Sequence, residues 1–211
     1  MTSATSKANA VIEVIMSRSA AKYYDPSATL SDSQIRELVQ IGTSAPTSFH
    51  MQNWRFIAVR TAEAKKRLSP IAWGQPAILD AAVTFVIVGQ LADSSVIPDR
   101  LAPLVKAGVM PPAMVAEWET PARGLYQDYP QRQRDEAVRT GTFGAAAIIY
   151  AARALGLGST PMIGFDADGV HKEYGLAENE VPVMLLSIGV ERPGNWAQKP
   201  RRPVTEVLDF V

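Results

Sequence analysis

The sequence predicts an α+β fold, one domain over residues 1–211 with an inserted arm at about 90–135. Three observations carry that expectation. Val83-Thr84-Phe85-Val86-Ile87-Val88 and Val181 to Val190 are apolar at nearly every position, the mark of strands covered on both faces. Thr142 to Phe165, TFGAAAIIYAARALGLGSTPMIGF, reads as an apolar helix, a glycine stop and a turn at Pro161-Met162-Ile163-Gly164. A helix apolar all round is buried on all sides, in a core or against a partner chain. Finally, amphipathic helices with recognisable caps alternate with the strands, and neither an internal repeat nor a domain boundary interrupts them.

Taken in order, residues 8–17 place Val11, Ile12, Ile15 and Met16 at helical spacing. Arg18 and Lys22 follow, four apart among small and aromatic residues. They suit an anion held at a chain turn; they equally suit a solvated helix end, where the dipole favours cations. Ser31-Asp32-Ser33-Gln34 is a capping box, so a helix starts there with Ile35, Leu38, Val39 and Gly42 on one side. Thr43 to Asn53 is crowded with hydroxyls and amides, which can read the edge of a heterocycle or simply bond their own loop. Trp54–Val59 reads as a strand, Thr61 as the cap of a helix over 62–68, and a short helix is expected near 78–82.

Between 90 and 135, prolines 98, 103, 111, 112, 121 and 130 recur and apolar periodicity weakens, apart from a helix expected over 112–118. A lid or partner-facing arm is expected. Arg132–Leu155 reads as one long helix ended by Gly156 and Gly158, and Asp166 caps a short helix through Tyr174. The tail 191–211 carries Arg192, Lys199, Arg201 and Arg202 among prolines, and is expected to lie across the core or over a second subunit.

Composition removes whole classes of function. Lys+Arg and Asp+Glu are both 21, so the balanced charge argues against general nucleic-acid binding. There is no cysteine and only His50 and His171, which argues against disulfides, thiolate nucleophiles, iron–sulfur clusters and multi-histidine metal sites. Redox chemistry would then need an organic cofactor. No run approaches the roughly 20 apolar residues of a membrane span, and the polar start MTSATSKANA lacks a signal-peptide core, so a cytoplasmic protein is expected. No nucleophile elbow, dinucleotide fingerprint or Walker sequence is present. What remains are dispersed segments at 18–22, 46–52, 73–75, 161–164 and 199–201: cationic ends, hydroxyl and amide donors, and a backbone turn. Together they make a wall set for a phosphate-bearing flavin.

Four of these segments resemble the elements of the FMN-dependent nitroreductase superfamily. Arg18-Ser19-Ala20-Ala21-Lys22-Tyr23-Tyr24 resembles its opening R-x-S-x-[RK]-x-[FY] element, and Ala45 to Phe56 its A-P-S-S-x-N-x-Q-P-W-x-F loop. Gly156 to Phe165 resembles its glycine-rich turn, and Lys199-Pro200-Arg201-Arg202-Pro203 its terminal K-x-R-x-P element. The resemblance covers nearly the whole chain. It implies a central, mostly antiparallel sheet flanked by helices, and a homodimer with interfacial FMN sites, a long central helix and an exchanged C-terminal extension. It further implies an NADH- or NADPH-dependent enzyme that passes electrons to nitroaromatic or quinone acceptors by alternating half-reactions. Reductive dehalogenation, flavin destruction or a non-catalytic flavin carrier are the alternatives on the same fold.

Site roles follow from the same resemblance. Arg18, Lys199 and Arg201 would hold the FMN phosphate, Ser19 would assist, and Lys22 would lie near the pyrimidine edge. Pro161, Met162, Ile163 and Gly164 would lie along the isoalloxazine, and Gln75 near its edge. Pro46, Thr47, Ser48 and His50 would come from the neighbouring subunit. No side chain is expected as a catalyst, because flavin N5 carries the chemistry. Ala20, His50 and Asn53 depart from the usual serine, asparagine and proline, which bears on flavin contacts and substrate preference.

Overall fold

Four strands build the sheet: β1 (Trp54–Val59), β2 (Val83–Gln90), β3 (Gly158–Met162) and β4 (Glu180–Gly189), in the order β1-β2-β4-β3 with every pair antiparallel. The computed structural model describes residues 2–211, with side chains from Asn9 onward. β2 and β4 are central, which is why their sequences are continuously apolar. A bulge between Ile87 and Val88 admits one extra residue of β4 at Val183, beside Pro182.

The two-residue period of β2 divides the core. Val86 and Val88 face one side with Leu185, packing on Leu68 of α3 (Ala62–Ile71), Ile78 of α4 (Pro76–Asp80) and Val170 of α8 (Ala167–Tyr174). Phe85 and Ile87 face the other with Leu186 and Ile188, against Leu38 of α2 (Asp32–Gly42) and Ala145 and Ile148 of α7 (Pro130–Ala154). The Ser31–Gln34 capping box is fully formed, and the Thr61 and Asp166 side chains cap α3 and α8.

The arm is more regular than its prolines suggest. Residues 97–106 and 114–126 form α5 (Ile97–Lys106) and α6 (Met114–Tyr126), with Pro98 in the first turn of α5 and Pro103 and Pro121 inside the helices. They share a separate apolar cluster, in which Ile97, Leu101, Ala122 and Tyr126 enclose Met51. The arm is therefore packed on the 48–51 turn and not on the sheet's main core.

Two expectations need correction. Pro161–Met162 is not a turn but the end of β3, with Pro161 opposite Leu186. Proline is accepted because β3 is an edge strand and needs no amide donor on its open side. Nor is α7 buried all round within one chain. Gly141, Gly144, Ala145 and Ile148 face the sheet, while Phe143 and Tyr150 are exposed. Gly144 in particular meets Phe56 and Trp54 of its own chain, so its lack of a side chain serves close helix–sheet packing. The helix α1 (Thr2–Ser17) likewise leaves Val11, Ile12, Ile15 and Met16 exposed. None of the described helices is long and apolar enough to cross a membrane.

Candidate functional site

Residues 18–25 run past the start of β3 and on to the segment leaving β4. Ala20 bridges Ser159, the Ala21 amide donates to the Ser159 carbonyl (3.1 Å), and the Asp25 amide donates to Val190 (2.8 Å). Tyr24 fixes this placement from below. Its buried hydroxyl donates to Thr160 Oγ1 (2.7 Å), with the Ser187 carbonyl at 3.2 Å, and Thr160 donates onward to the Ala21 carbonyl. Burial pushes the Tyr24 phenol well above its ordinary pKa, with Glu191 adding to the rise, so it stays a neutral donor.

Above this thread lies a cavity of about 420 Å³. Arg18, Ser19 and Lys22 form one wall, and Gln75, Pro76 and Ala77 at the start of α4 form another. Thr160 and Met162 of β3 and Ala21 floor it; Trp196, Gln198, Lys199 and Arg201 of the tail close it. The volume falls within the about 300–1,000 Å³ of small-molecule sites. Its charge is one-sided. Arg18, Lys22, Lys199 and Arg201 all face it, no Asp or Glu lines it, and among the described residues no carboxylate lies within salt-bridge distance of any of the four. By contrast, the shallower groove between α2 and β1 has its Arg60 paired with Asp32. Four unpaired cations converging on an apolar floor are electrostatically incomplete without an anion. The donor set fits a flat ligand with a phosphate at one end.

The structure thus gathers Arg18, Ser19, Lys22, Gln75, Met162, Lys199 and Arg201 into one cavity. Gly164 joins through Gln75, whose Nε2 donates to its carbonyl at 2.7 Å. Pro161 and Ile163 flank Met162 on the exposed side, Ile163 with 83% of its surface free. Pro46, Thr47, Ser48 and His50 do not line this cavity. They stand at the far β1 side, where Ser48 bonds the Tyr126 hydroxyl (2.8 Å), which donates to the buried Glu136 (3.1 Å). Burial also raises the Tyr126 pKa, so this link too is a neutral phenol. Their turn is strained: Phe49, His50 and Gln52 all have positive φ, a conformation that non-glycine residues hold only where surrounding structure imposes it.

Sequence reading missed Thr160, Asn195, Trp196 and Gln198. Trp196 lies between two lysines, with Lys22 Nζ 5.7 Å and Lys199 Nζ 5.5 Å from its ring centroid. A Pro193-Gly194 turn signal before Asn195 marks where the tail bends back, but its partners lie 172 and 173 residues upstream.

The profile of the Nitroreductase family matches residues 15–190. YodC of Bacillus subtilis, assigned as an NAD(P)H nitroreductase, is 29% identical over 201 residues, 95% of this chain and 98% of its own length. A Caulobacter protein assigned as an NADH dehydrogenase/NAD(P)H nitroreductase is 33% identical over 185 residues, 86% of this chain and 87% of its own length. Among solved structures, a protein from Exiguobacterium sibiricum assigned as a nitroreductase, in complex with FMN, superposes with a TM-score of 0.87 at 24% identity, covering 95% of this chain and 97% of its own. With the family profile matched over most of its length, this chain belongs to the Nitroreductase family.

Proposed function

We propose that this chain is an FMN-dependent oxidoreductase. It takes two electrons from NADH or NADPH and delivers them to a nitroaromatic or quinone acceptor in alternating half-reactions. The observation that carries this reading is the cavity with four unpaired cations over an apolar floor; family membership supports it. Bound FMN would supply the hydride chemistry at its N5, and the protein the binding, orientation and electrostatics.

Arg18, Lys199 and Arg201 would grip the phosphate by charge-assisted hydrogen bonds, with Ser19 beside them. Ala21, Ala77 and Met162 offer an apolar bed that excludes water from one side of a flat ring. Lys22 brings positive charge to the ring's pyrimidine end, favouring the electron-rich reduced form. Pro161 to Gly164 would run along the ring edge, held there by Gln75.

The functional unit in this reading is a homodimer with two interfacial sites. The exposed apolar side chains of α1 and α7, and Val204, Val207, Leu208 and Phe210 of the tail, are what such an interface would cover. Pro46, Thr47, Ser48 and His50, absent from the cavity of their own chain, would complete that of the second subunit. The 90–135 arm, packed on their turn, would then act as a lid over that site. In this reading the enzyme works in the cytoplasm, which supplies NADH and NADPH.

The test is anaerobic mixing of FMN-loaded protein with NADH and, separately, NADPH while the flavin absorbance is followed. At least one donor should bleach the yellow colour, and a quinone or nitroarene should restore it. A loaded protein that neither donor reduces would be a carrier or sensor, not this enzyme.

A further inference from the structure

Residues 193–202 make no backbone–backbone hydrogen bond among the described residues. Yet Trp196, Gln198, Lys199 and Arg201 form a whole wall of the cavity. Something other than regular structure must hold that wall, and two amide side chains do so. The Asn195 Oδ1 accepts from the amides of both Lys22 (2.7 Å) and Tyr23 (2.8 Å). Its Nδ2 is shared among the carbonyls of Tyr23 (3.0 Å) and Arg192 (3.1 Å) and Glu191 Oε2 (3.3 Å). Three residues on, Gln198 Nε2 donates to the Arg18 carbonyl at 2.9 Å. The tail is thereby hung at both ends on the 18–23 segment, and Trp196 spans the gap between Lys22 and Lys199. Gly194, with φ of 101°, makes the bend that turns Asn195 inward.

We propose that Asn195 is the positioning residue of the site: it clamps the C-terminal strap onto residues 22–23 so that Lys199 and Arg201 face the same space as Arg18. An amide suits the task because one planar group offers an acceptor to two N–H groups and donors to carbonyls opposite. Neither an aspartate, which cannot donate, nor a serine, which is too short, supplies both halves. The clamp makes the cationic wall conditional on contacts some 170 residues apart in sequence, so the anion site forms only when the β3 thread and the tail are both in place. The role in phosphate binding rests on the FMN reading above; the clamp itself does not.

The experiment uses the full chain with Asn195→Ala and two readouts. Without FMN, trypsin reaches the strap only at Arg201–Arg202, since Pro200 and Pro203 protect Lys199 and Arg202. Cleavage there should speed up about fivefold as the strap opens locally. In FMN titrations, Kd should rise about tenfold, and this loss should vanish in the Lys199→Ala, Arg201→Ala background, because Asn195 acts through those cations. Gln198→Ala, which frees only the second anchor, should show the same changes in smaller measure and serves if Asn195→Ala folds poorly. Unchanged cleavage and unchanged Kd would overturn the proposal, as would an Asn195 effect that adds fully to the double cation variant. Faster cleavage in a protein whose wild type binds no FMN would instead overturn the flavin reading and reduce Asn195 to a clamp of the fold.

Discussion

Replacing Lys199 and Arg201 together with alanine should raise the Kd for FMN about 100-fold, or ~2.7 kcal/mol. The strap is exposed, so each cation's contribution is screened and lies at the lower end of the range for charge-assisted bonds. Both cations nevertheless face a cavity without a single carboxylate, and of its four cations only Arg18 and Lys22 would remain. The same change should flatten the salt dependence of binding, since fewer counterions are exchanged when the anion docks. Fold stability without FMN should barely move, because among the described residues neither side chain contributes to the core or to an ion pair. Flavin fluorescence titrations at two salt concentrations check all of this. An unchanged Kd would mean that the phosphate is held elsewhere.

Gly89→Ala should cost about 3 kcal/mol or more of stability, at or beyond the upper end of ordinary overpacking. At this position of β2 an added Cβ would lie 2.0 Å from the Ala137 carbonyl oxygen and 2.5 Å from its carbon. Those are backbone atoms of α7 and cannot rotate away. The helix would have to lift from the sheet, breaking the fit of Gly141 against Val183 and of Gly144 against Phe56 along its length. For a chain of this size the melting temperature should fall by roughly 6–12 °C. Gly124→Ala is the control. It sits in α6 with nothing within 4 Å of its Cβ position, and should leave stability unchanged or raise it by up to about 1 kcal/mol. Thermal melts of the two variants side by side would contradict the account if they shifted alike.

Local chemistry was legible in the sequence where it is local. The Ser31–Gln34 box, the Thr61 and Asp166 caps, the apolar runs of β2 and β4 and the long α7 depend on residues a few positions apart. Features set by neighbours distant in sequence were not. Pro161 argues against a strand unless one knows that β3 has an open edge. Pro103 and Pro121 argue against helices unless one knows that Ile97, Leu101 and Tyr126 bury together around Met51. The glycines of α7 invite a helix partner, and only the register shows that they receive Phe56 and Val183 of the sheet. At the site, cations announce themselves by type and motif, so Arg18, Lys22, Lys199 and Arg201 could be named in advance, and the structure brings all four to one cavity. Asn195 and Trp196 carried no such signal, because an asparagine and a tryptophan in a proline-rich tail look like loop until their partners 172 and 174 positions away are seen.

In the proposed reading the cavity recognises a flavin by its phosphate. Riboflavin shares the ring and ribityl chain of FMN and lacks only that group, so titrating the flavin-free protein with each, in low salt, isolates the claim. FMN should bind at least about 100-fold more tightly than riboflavin. Equal affinity for the two, or no binding of either, would contradict the account.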